Sequence, residues 1–232
     1  GAPSLRVSAG AAESLGEGGR AALGRVLELL SEERASVSSI TDERAWSVHV
    51  DDSFAGLEVE GLRQARRIAD IGAGAGFPGL VLAVALPASR VSLIESVGRK
   101  CGFMRRAMSA AGIENAEVLN LRSEELAEGV GRERYDAVTA RAVGRLSTLA
   151  ELASPLLAEG GSLVAWKGRR DPEEEEQLRR AADSLAMTPE RVLDVGDRAG
   201  SRHRHLYVIR KNGPTPAGLP RKAGMAKKRP RG

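Results

Sequence analysis

The chain reads ADIGAGAGFPG over residues 69–79, where a short apolar stretch runs into a glycine-rich turn. The apolar residues before the turn predict a β-strand, and those after it predict a helix. Glycines adopt positive φ angles and let the backbone approach a ligand closely. In a doubly wound sheet this turn lies at the carboxyl end of the first strand, where ligands bind. The stretch therefore predicts a parallel sheet with a ligand site at this turn.

Short β-rich stretches alternate with longer helical ones from Arg66 onward, and this alternation predicts an α/β fold with a doubly wound sheet. The last two β-rich stretches lie too close together for a helix between them, so they predict an antiparallel hairpin. We expect strands at 67–71, 91–95, 116–121, 135–140, 162–166, 191–195 and 205–210, and helices at 78–86, 98–111, 145–158 and 172–186. A Rossmann-like, seven-stranded sheet with the last strand antiparallel is the outline of a class I S-adenosylmethionine-dependent methyltransferase.

An N-terminal helical extension, residues 1–65, precedes this domain. Apolar residues at helical spacing predict a helix from about Leu23 to Glu33. Residues 34–41 lack such a period and predict a loop. Asp42 is a candidate N-cap for a second helix that carries Trp46.

The positive charge of the chain lies at its C-terminus. From Ser201 onward there are ten basic residues and no acidic one, whereas residues 1–200 carry 25 basic and 31 acidic residues. This asymmetry favours contact with a polyanion such as RNA; the alternative is a solvated segment that only keeps the protein soluble. We expect a methyltransferase domain at 66–212 and a flexible basic tail at 213–232, because the tail's composition cannot bury a core. Its deletion is expected to weaken RNA binding and to leave cofactor binding unchanged, with Arg221 and Lys222 among the phosphate contacts.

The spacing of the glycines distinguishes between nucleotide cofactors. The dinucleotide fingerprint G-x-G-x-x-G, counted from Gly72, needs a third glycine where Phe77 stands. The chain instead has D-x-G-x-G-x-G over residues 70–76, a pattern typical of S-adenosylmethionine sites. The sequence therefore predicts S-adenosylmethionine as the cofactor, with Asp70, Gly72, Gly74 and Gly76 at its binding turn.

Two further acids stand where the cofactor's sugar and base are expected. Glu95 ends the second predicted strand, 23 residues after Gly72, and its carboxylate can accept hydrogen bonds from both ribose hydroxyls. Glu124 and its neighbour Ser123 follow the third predicted strand, where a polar pair can bind the adenine edge. The alternative for Glu95 and Glu124 is a solvated strand end, and the alternative for Asp70 is a structural cap.

The residues after the fourth predicted strand limit the methyl acceptor. The chain reads TARAV over 139–143, without the Asn/Asp-Pro-Pro-aromatic loop of adenine and cytosine amino-methyltransferases. The lone Cys101 follows the second strand, away from the place where cytosine C5 methylation needs a nucleophile, so we interpret it as a packing residue. Arg141 supplies a cation for the methionine end of the cofactor or for a phosphate. Guanine N7 fits these observations, because its lone pair carries no proton and needs no general base. We expect no metal, since the histidines show no ligand spacing with acids.

Several stretches of the chain resemble the RsmG (GidB) family of bacterial methyltransferases, which act on a guanine N7 of 16S ribosomal RNA. The matching stretches are DIGAGAGFPGLVLAVALP (70–87), SLIESVGRKCGFMR (92–105), RSEEL (122–126), YDAVTARAV (135–143), AWKG (165–168), RHLYVIRK (204–211) and LPRKAGMAKKRP (219–230). Three features are specific to this family: the arginine after the fourth strand, the Lys-Gly after the fifth, and the Pro-Arg-Lys-Ala-Gly near the end. Near the N-terminus, HVDDS (49–53) keeps the family's His-x-x-Asp-Ser pattern. The family's preceding Trp-Asn…Asn-Leu-Thr stretch is not kept, since VSSI (37–40) stands there without the Asn.

The resemblance also implies roles for individual residues. It implies that Gly72 and Phe77 line the cofactor, that Glu95 binds the ribose, and that Ser123 and Glu124 contact the adenine. Arg141 would face the cofactor or the substrate as the catalytic residue. The RNA-facing rim would carry Lys100, Lys167, Arg204 and His205. His49 is either a substrate contact or a surface histidine.

Two other classes of function remain open from the sequence. One is an enzyme of the same fold that acts on another RNA, a protein or a small molecule, and the other is a catalytically silent RNA-binding assembly factor. The basic C-terminus favours RNA, and the complete set of cofactor residues disfavours a silent protein. We expect 16S ribosomal RNA or the small ribosomal subunit as the partner of a cytoplasmic monomer. A membrane protein is not expected, because no apolar run approaches the roughly 20 residues that a bilayer span needs.

Overall fold

A seven-stranded sheet forms the centre of the molecule in a computed structural model that describes residues 15–33, 38, 40, 44–141, 143–196 and 203–232. The strands are β1 (Arg67–Ile71), β2 (Arg90–Ile94), β3 (Ala116–Leu119), β4 (Tyr135–Arg141), β5 (Leu157–Lys167), β6 (Met187–Asp194) and β7 (His205–Lys211). Their order across the sheet is β3-β2-β1-β4-β5-β7-β6. β7 pairs antiparallel with both β5 and β6, and the other pairs are parallel. The predicted fold class is confirmed.

Helices cover both faces of this sheet. They are α1 (Glu17–Glu32), α2 (Asp52–Phe54), α3 (Glu60–Arg63), α4 (Gly79–Ala85), α5 (Gly98–Ala111), α6 (Ser123–Glu128), α7 (Leu146–Ala153), α8 (Pro172–Ala182) and α9 (Met225–Lys228). A π-helix at Trp46–Asp51 leads into α2, a 3-10 helix at Ala55–Glu58 follows it, and another at Asp183–Leu185 follows α8. The candidate N-cap Asp42 and most of the predicted loop 34–41 lie outside the described residues. Within the described part of the chain, no helix combines the length and the apolar character that a bilayer span requires.

Alternate side chains of each strand enter two different cores, as the pleat of a sheet requires. Ile68 packs in the core beneath α1, α4 and α5, whereas Ile71 packs in the core beneath α7 and α8. The N-terminal extension belongs to the first core, where the indole Nε1 of Trp166 donates to the backbone oxygen of Asp52 at 2.8 Å. The extension is therefore fixed to the end of β5.

The structure differs from the predicted elements in several places, and α1, for example, begins at Glu17 rather than near Leu23. The predicted helix at 145–158 ends at Ala153, because β5 already begins at Leu157. β6 begins at Met187 rather than at 191; it is an edge strand, which tolerates the proline at 189 that obscures it in the sequence. α6 was not predicted, since six residues are too few to show a helical period.

The C-terminal segment, residues 213–232, packs against the domain rather than forming the predicted flexible tail. The segment begins beside the fully buried Lys211 at the end of β7, whose ammonium donates to the backbone oxygens of Ser154 and Leu157 at 2.7 and 2.9 Å. Thr215 joins the same cluster through Lys211 and through Glu133. Two apolar residues further along, Leu219 and Ala226, are also buried. These few anchors are spread among glycines and lysines, which is why composition alone points to a disordered tail.

We predict that Lys211→Met lowers the free energy of unfolding by about 2–4 kcal/mol, because buried carbonyl oxygens lose their donor. Denaturant titration of the purified variant measures this change. Lys222→Met is the control, since this exposed lysine lies on the same segment and should shift the value by less than about 0.5 kcal/mol. Equal stability of the two variants would contradict the anchoring role.

Candidate active site

A cavity of about 560 Å³ opens at the carboxyl ends of β1, β2 and β4. Several predicted cofactor residues line it together, namely Gly72, Gly74, Glu95, Ser123, Glu124 and Arg141. Lys100, which was predicted at the RNA-facing rim, lines the same cavity. Other predicted residues, Asp70, Gly76 and Phe77, lie beside the cavity and are not part of its lining.

The glycine turn shapes one wall of the cavity. Gly72 and Gly74 have φ angles of +66° and +61°, a conformation that L residues with a side chain rarely adopt. A Cβ atom at Gly72 would also lie 2.7 Å from a methyl group of Val143, which follows β4. The turn is therefore open to a ligand because these positions carry no side chain.

Glu95 is held rigidly at the end of β2. Its Oε2 accepts the backbone N–H of Gly74 at 3.1 Å, and its Oε1 accepts that of Val97 at 2.9 Å. The side chain is only 7% exposed, and what remains exposed faces the cavity. Each carboxylate oxygen keeps a further lone pair for a ligand hydroxyl. This geometry fits the ribose of a nucleoside.

Asp70 supports the turn from behind. Its Oδ2 accepts the N–H of Gly79 at 3.0 Å, and its Oδ1 accepts the hydroxyl of Thr139 at 2.9 Å. Burial raises the pKa of Asp70 to about 6, although both hydrogen bonds favour the ionised form. The carboxyl thus joins β1 to the start of α4 and to β4, and its predicted direct contact with a cofactor is replaced by a role in fixing the turn.

Phe77 and Gly76 hold the far side of the turn. The ring of Phe77 stacks on the imidazole of His49, with centroids 4.6 Å apart, and the guanidinium of Arg141 lies 5.7 Å from the Phe77 ring centroid. Gly76 has a φ of +91°, and a Cβ there would collide with Leu80. Both residues therefore pack the turn against its neighbours.

Arg141 ends β4 and is enclosed by the N-terminal extension. Its Nη1 donates to the backbone oxygen of Val48 at 3.0 Å and to Oδ2 of Asp52 at 3.2 Å. The same carboxylate pairs with Nε of Arg204 at 2.7 Å through its other oxygen. Two arginines thus share one carboxylate, so this cluster carries one more positive charge than negative. Such an excess suits an anionic ligand group, either a carboxylate or a phosphate.

His49 is a buried partner of Arg141 rather than a surface histidine. Burial lowers the pKa of His49, with the charge of Arg141 acting in the same direction. Nη2 of Arg141 lies 3.1 Å from Nδ1, and arginine can only donate, so Nδ1 accepts. The proton is therefore on Nε2, which donates to the backbone oxygen of Ile40 at 3.0 Å.

Most of the other predicted RNA contacts are bound to acids or backbone oxygens of the protein. Lys167 pairs with Glu174 at 2.7 Å and donates to the backbone oxygen of Gly144 at 3.0 Å. Nδ1 of His205 lies 2.8 Å from the backbone oxygen of Gly168. Arg221 binds the carboxylate of Glu151, whereas Lys222 is exposed.

Sequence reasoning missed two groups of residues at the site. Asp52 was quoted only within a matching stretch, and its role depends on contacts with strands about 90 or more residues away. The cavity is also lined by Gly144, Thr148, Leu152, Gly224, Ala226 and Lys227. For Gly224, Ala226 and Lys227, the one signal in the sequence was the stretch with Lys-Ala-Gly that resembles the family. Among the described residues no cluster of three or more His, Cys, Asp or Glu side chains has the arrangement of a metal site.

We predict a pH dependence from Asp70. Its pKa is 3.8 in the unfolded chain and about 6 in the folded protein, so the folded state holds the proton more tightly. Its contribution to the free energy of unfolding is therefore fully present below pH 4 and falls by about 3 kcal/mol as the pH rises through 6. Urea titrations of the wild type and of Asp70→Asn between pH 4 and 7 measure the difference. Parallel stability curves for the two proteins would contradict the raised pKa.

Comparison with known proteins identifies the family of the chain. Residues 23–207 match the family model described as rRNA small subunit methyltransferase G. Relatives named ribosomal RNA small subunit methyltransferase G include one from Rubrobacter xylanophilus, 43% identical over 190 residues, which covers 78% of this chain and 71% of that protein. Another, from Pelotomaculum thermopropionicum, is 38% identical over 84% of this chain and 82% of that protein. A third, from Staphylococcus aureus, is 36% identical over 85% and 83%.

Solved structures share the fold at lower sequence identity. A SAM-dependent O-methyltransferase from Thermotoga maritima has a TM-score of 0.57 at 15% identity and covers 81% of this chain and 71% of its own. A tRNA methyltransferase from Aquifex aeolicus has a TM-score of 0.52 at 15% identity, with coverages of 70% and 68%. These likenesses concern the fold alone, whereas the family match and the curated relatives show that the chain belongs to the rRNA small subunit methyltransferase G family.

Proposed function

We propose that this chain transfers the methyl group of S-adenosylmethionine to N7 of a guanine in the 16S ribosomal RNA of the small subunit. The observation that carries the proposal is the convergence of Gly72, Glu95 and Arg141 on one cavity. The names of the relatives support ribosomal RNA of the small subunit as the substrate. Because the proposed substrate is ribosomal RNA, we propose that the chain acts in the cytoplasm and that it does so as a monomer.

The residues that line the cavity support the following orientation of the cofactor. Glu95 would accept the two ribose hydroxyls, and the bare backbone at Gly72 would admit the sugar and the methionine part. Ser123 and Glu124, at the start of α6, would lie beside the adenine. The positive cluster of Arg141 would face the methionine carboxylate or a phosphate of the RNA. A volume of about 560 Å³ is in the range of small-molecule sites.

Methyl transfer to guanine N7 requires alignment of the two reactants rather than proton transfer. The cofactor supplies a methyl group on a positively charged sulfur. Guanine N7 offers an in-plane lone pair, so a carbon–nitrogen bond forms while the carbon–sulfur electron pair stays with sulfur, and no proton moves. The protein then contributes by holding the two reactants in line and by fixing charges in advance. Arg141 meets that need because Asp52, Val48 and His49 prevent its guanidinium from moving.

Basic side chains around the mouth of the cavity would bind the RNA backbone. Lys167 and Arg204 already pair with acids, so a phosphate could gain from them only by competing with those pairs. Exposed basic residues at the same edge are better placed to meet phosphates, namely Arg145, Arg169, Lys222, Lys227 and Lys228. RNA affinity should then fall steeply with salt concentration, because phosphate contacts release counterions.

The direct test is methyl transfer from labelled S-adenosylmethionine to isolated 16S ribosomal RNA and to intact small subunits, followed by mapping of the modified base. A label on a guanine that resists N7-specific cleavage assays, or on no ribosomal RNA, would overturn the proposal. Labelling of one of the two substrates only would identify whether the RNA or the particle is recognised.

We predict that Glu95→Ala weakens binding of S-adenosylmethionine at least tenfold, because hydrogen bonds to a charged acceptor are lost. Calorimetric titration with the cofactor measures the change. Glu114→Ala removes an exposed acid near the opposite end of the sheet and should bind normally. Unchanged affinity of Glu95→Ala would exclude Glu95 from the cofactor site.

We predict that Arg141→Lys lowers the rate of methyl transfer at least tenfold per folded molecule, because lysine cannot keep the contacts of the planar guanidinium with Asp52 and His49. The rate is measured at saturating cofactor and RNA, and the folded fraction by thermal melting. Arg67→Lys, at the amino end of β1, is the control and should keep its activity. A variant that melts earlier but retains its rate would assign Arg141 a structural role only.

A further inference from the structure

The C-terminal segment follows a defined path over the domain. The guanidinium of Arg132 donates to the backbone oxygen of Leu219 at 3.0 Å. Arg221 then forms two hydrogen bonds with the carboxylate of Glu151 on α7, one of them 2.6 Å from Nη2 to Oε2. The hydroxyl of Thr148 reaches the backbone oxygen of Ala226 at 3.3 Å. The segment is thus attached to the domain at several successive points.

This path ends at the cavity proposed for the cofactor. The backbone N–H of Gly224 donates to Oε1 of Glu124 at 2.7 Å, while Oε2 of the same carboxylate accepts the hydroxyl of Ser123. Gly224, Ala226 and Lys227 form part of the cavity lining. The segment therefore meets the site at the end where the adenine is expected.

The Glu151–Arg221 pair is the strongest of these attachments. Glu151 is buried, with a side chain only 2% exposed, and Arg221 binds it through two nitrogen atoms. Nε of Arg231 also lies 4.0 Å from Oε2 of Glu151, but the two close hydrogen bonds come from Arg221, so removal of Arg221 leaves the buried carboxylate with a weaker partner and loosens the attachment. Arg221 also donates to the backbone oxygen of Arg229, which closes the end of the segment on itself. Arg221 was predicted as an RNA contact, and these bonds direct it instead toward the interior.

We propose that the stretch 224–227 forms a further wall of the S-adenosylmethionine site, with the Glu151–Arg221 pair as its positioning element. The inference rests on the proposed function, because it places the adenine beside Glu124. Lys222 and Lys228 flank this stretch, do not line the cavity, and are exposed to RNA phosphates. One segment then contacts both ligands and can couple their binding. By thermodynamic linkage, the factor by which the cofactor changes RNA affinity equals the factor by which RNA changes cofactor affinity.

The test compares two neighbouring basic residues. Arg221→Gln should weaken binding of S-adenosylmethionine to the full chain in the absence of RNA by about fivefold or more, as expected when a charged, bidentate attachment is lost. The KM for the cofactor should rise while kcat at saturating cofactor stays within about twofold. Lys222→Gln should leave cofactor affinity unchanged and weaken RNA binding with a shallower salt dependence. Unchanged cofactor affinity in Arg221→Gln would overturn the proposal.

A second measurement does not depend on the stability of a variant. Hydrogen exchange on the wild-type chain should show that S-adenosylhomocysteine slows exchange of the backbone amides of residues 222–228. If the ligand slows exchange around Gly72 and Glu95 but not in residues 222–228, the proposed wall is wrong and the proposed site stands. Absence of protection at both places, or normal cofactor binding by Glu95→Ala, would instead reject the site itself.

Discussion

The buried carboxylate of Asp52 is the constraint on which the active edge of the sheet depends. It is fully buried and lies between the guanidinium groups of Arg141, at the end of β4, and Arg204, just before β7. Its backbone oxygen also accepts a hydrogen bond from Trp166, near the end of β5. One residue of the N-terminal extension thus contacts three adjacent strands. Because neither a lone buried carboxylate nor two lone buried guanidinium groups would be stable there, the three side chains fix one another's positions.

The charge balance of this cluster explains why a structural network can also serve a ligand. Nδ1 of His49 accepts from Arg141, so the imidazole adds no charge, and burial lowers its pKa in the same sense. Within this cluster, two arginines and one aspartate leave one excess positive charge at one end of the cavity, while the acids Glu95 and Glu124 line other parts of it. An anionic group of the cofactor or of the RNA can neutralise it at little cost, because the guanidinium is already dehydrated and oriented. The salt bridge and the site are therefore one arrangement, not alternatives.

Sequence reasoning reached the parts of this molecule that depend on neighbouring residues. The succession of strands and helices and the glycine turn follow from local period and from positions such as Gly72 that need a positive φ. Glu95 was found because its distance from the turn is set by one β-α-β unit. The partners of Arg141 and of Glu124 were not found, because Asp52 and Gly224 lie 89 and 100 residues away from them in the chain. Composition also misjudged the C-terminal segment, since its buried residues Leu219 and Ala226 are too far apart to form a pattern.

The antiparallel direction of β7 explains why the chain must double back to complete the cavity. β7 begins at the carboxyl edge of the parallel strands and ends at Lys211, on their amino edge. From there the C-terminal segment returns along α7, touching first Ser154 through Lys211, then Glu151 through Arg221, then Thr148 through Ala226. Ser154 is the C-cap of α7, and Glu151 and Thr148 lie three residues apart on the helix, so the contacts proceed along α7 from its C-terminal to its N-terminal end. The C-terminal segment therefore packs along α7 from the amino edge to the carboxyl edge of the sheet. It reaches Glu124 because the N-terminal end of α7 lies at the cavity.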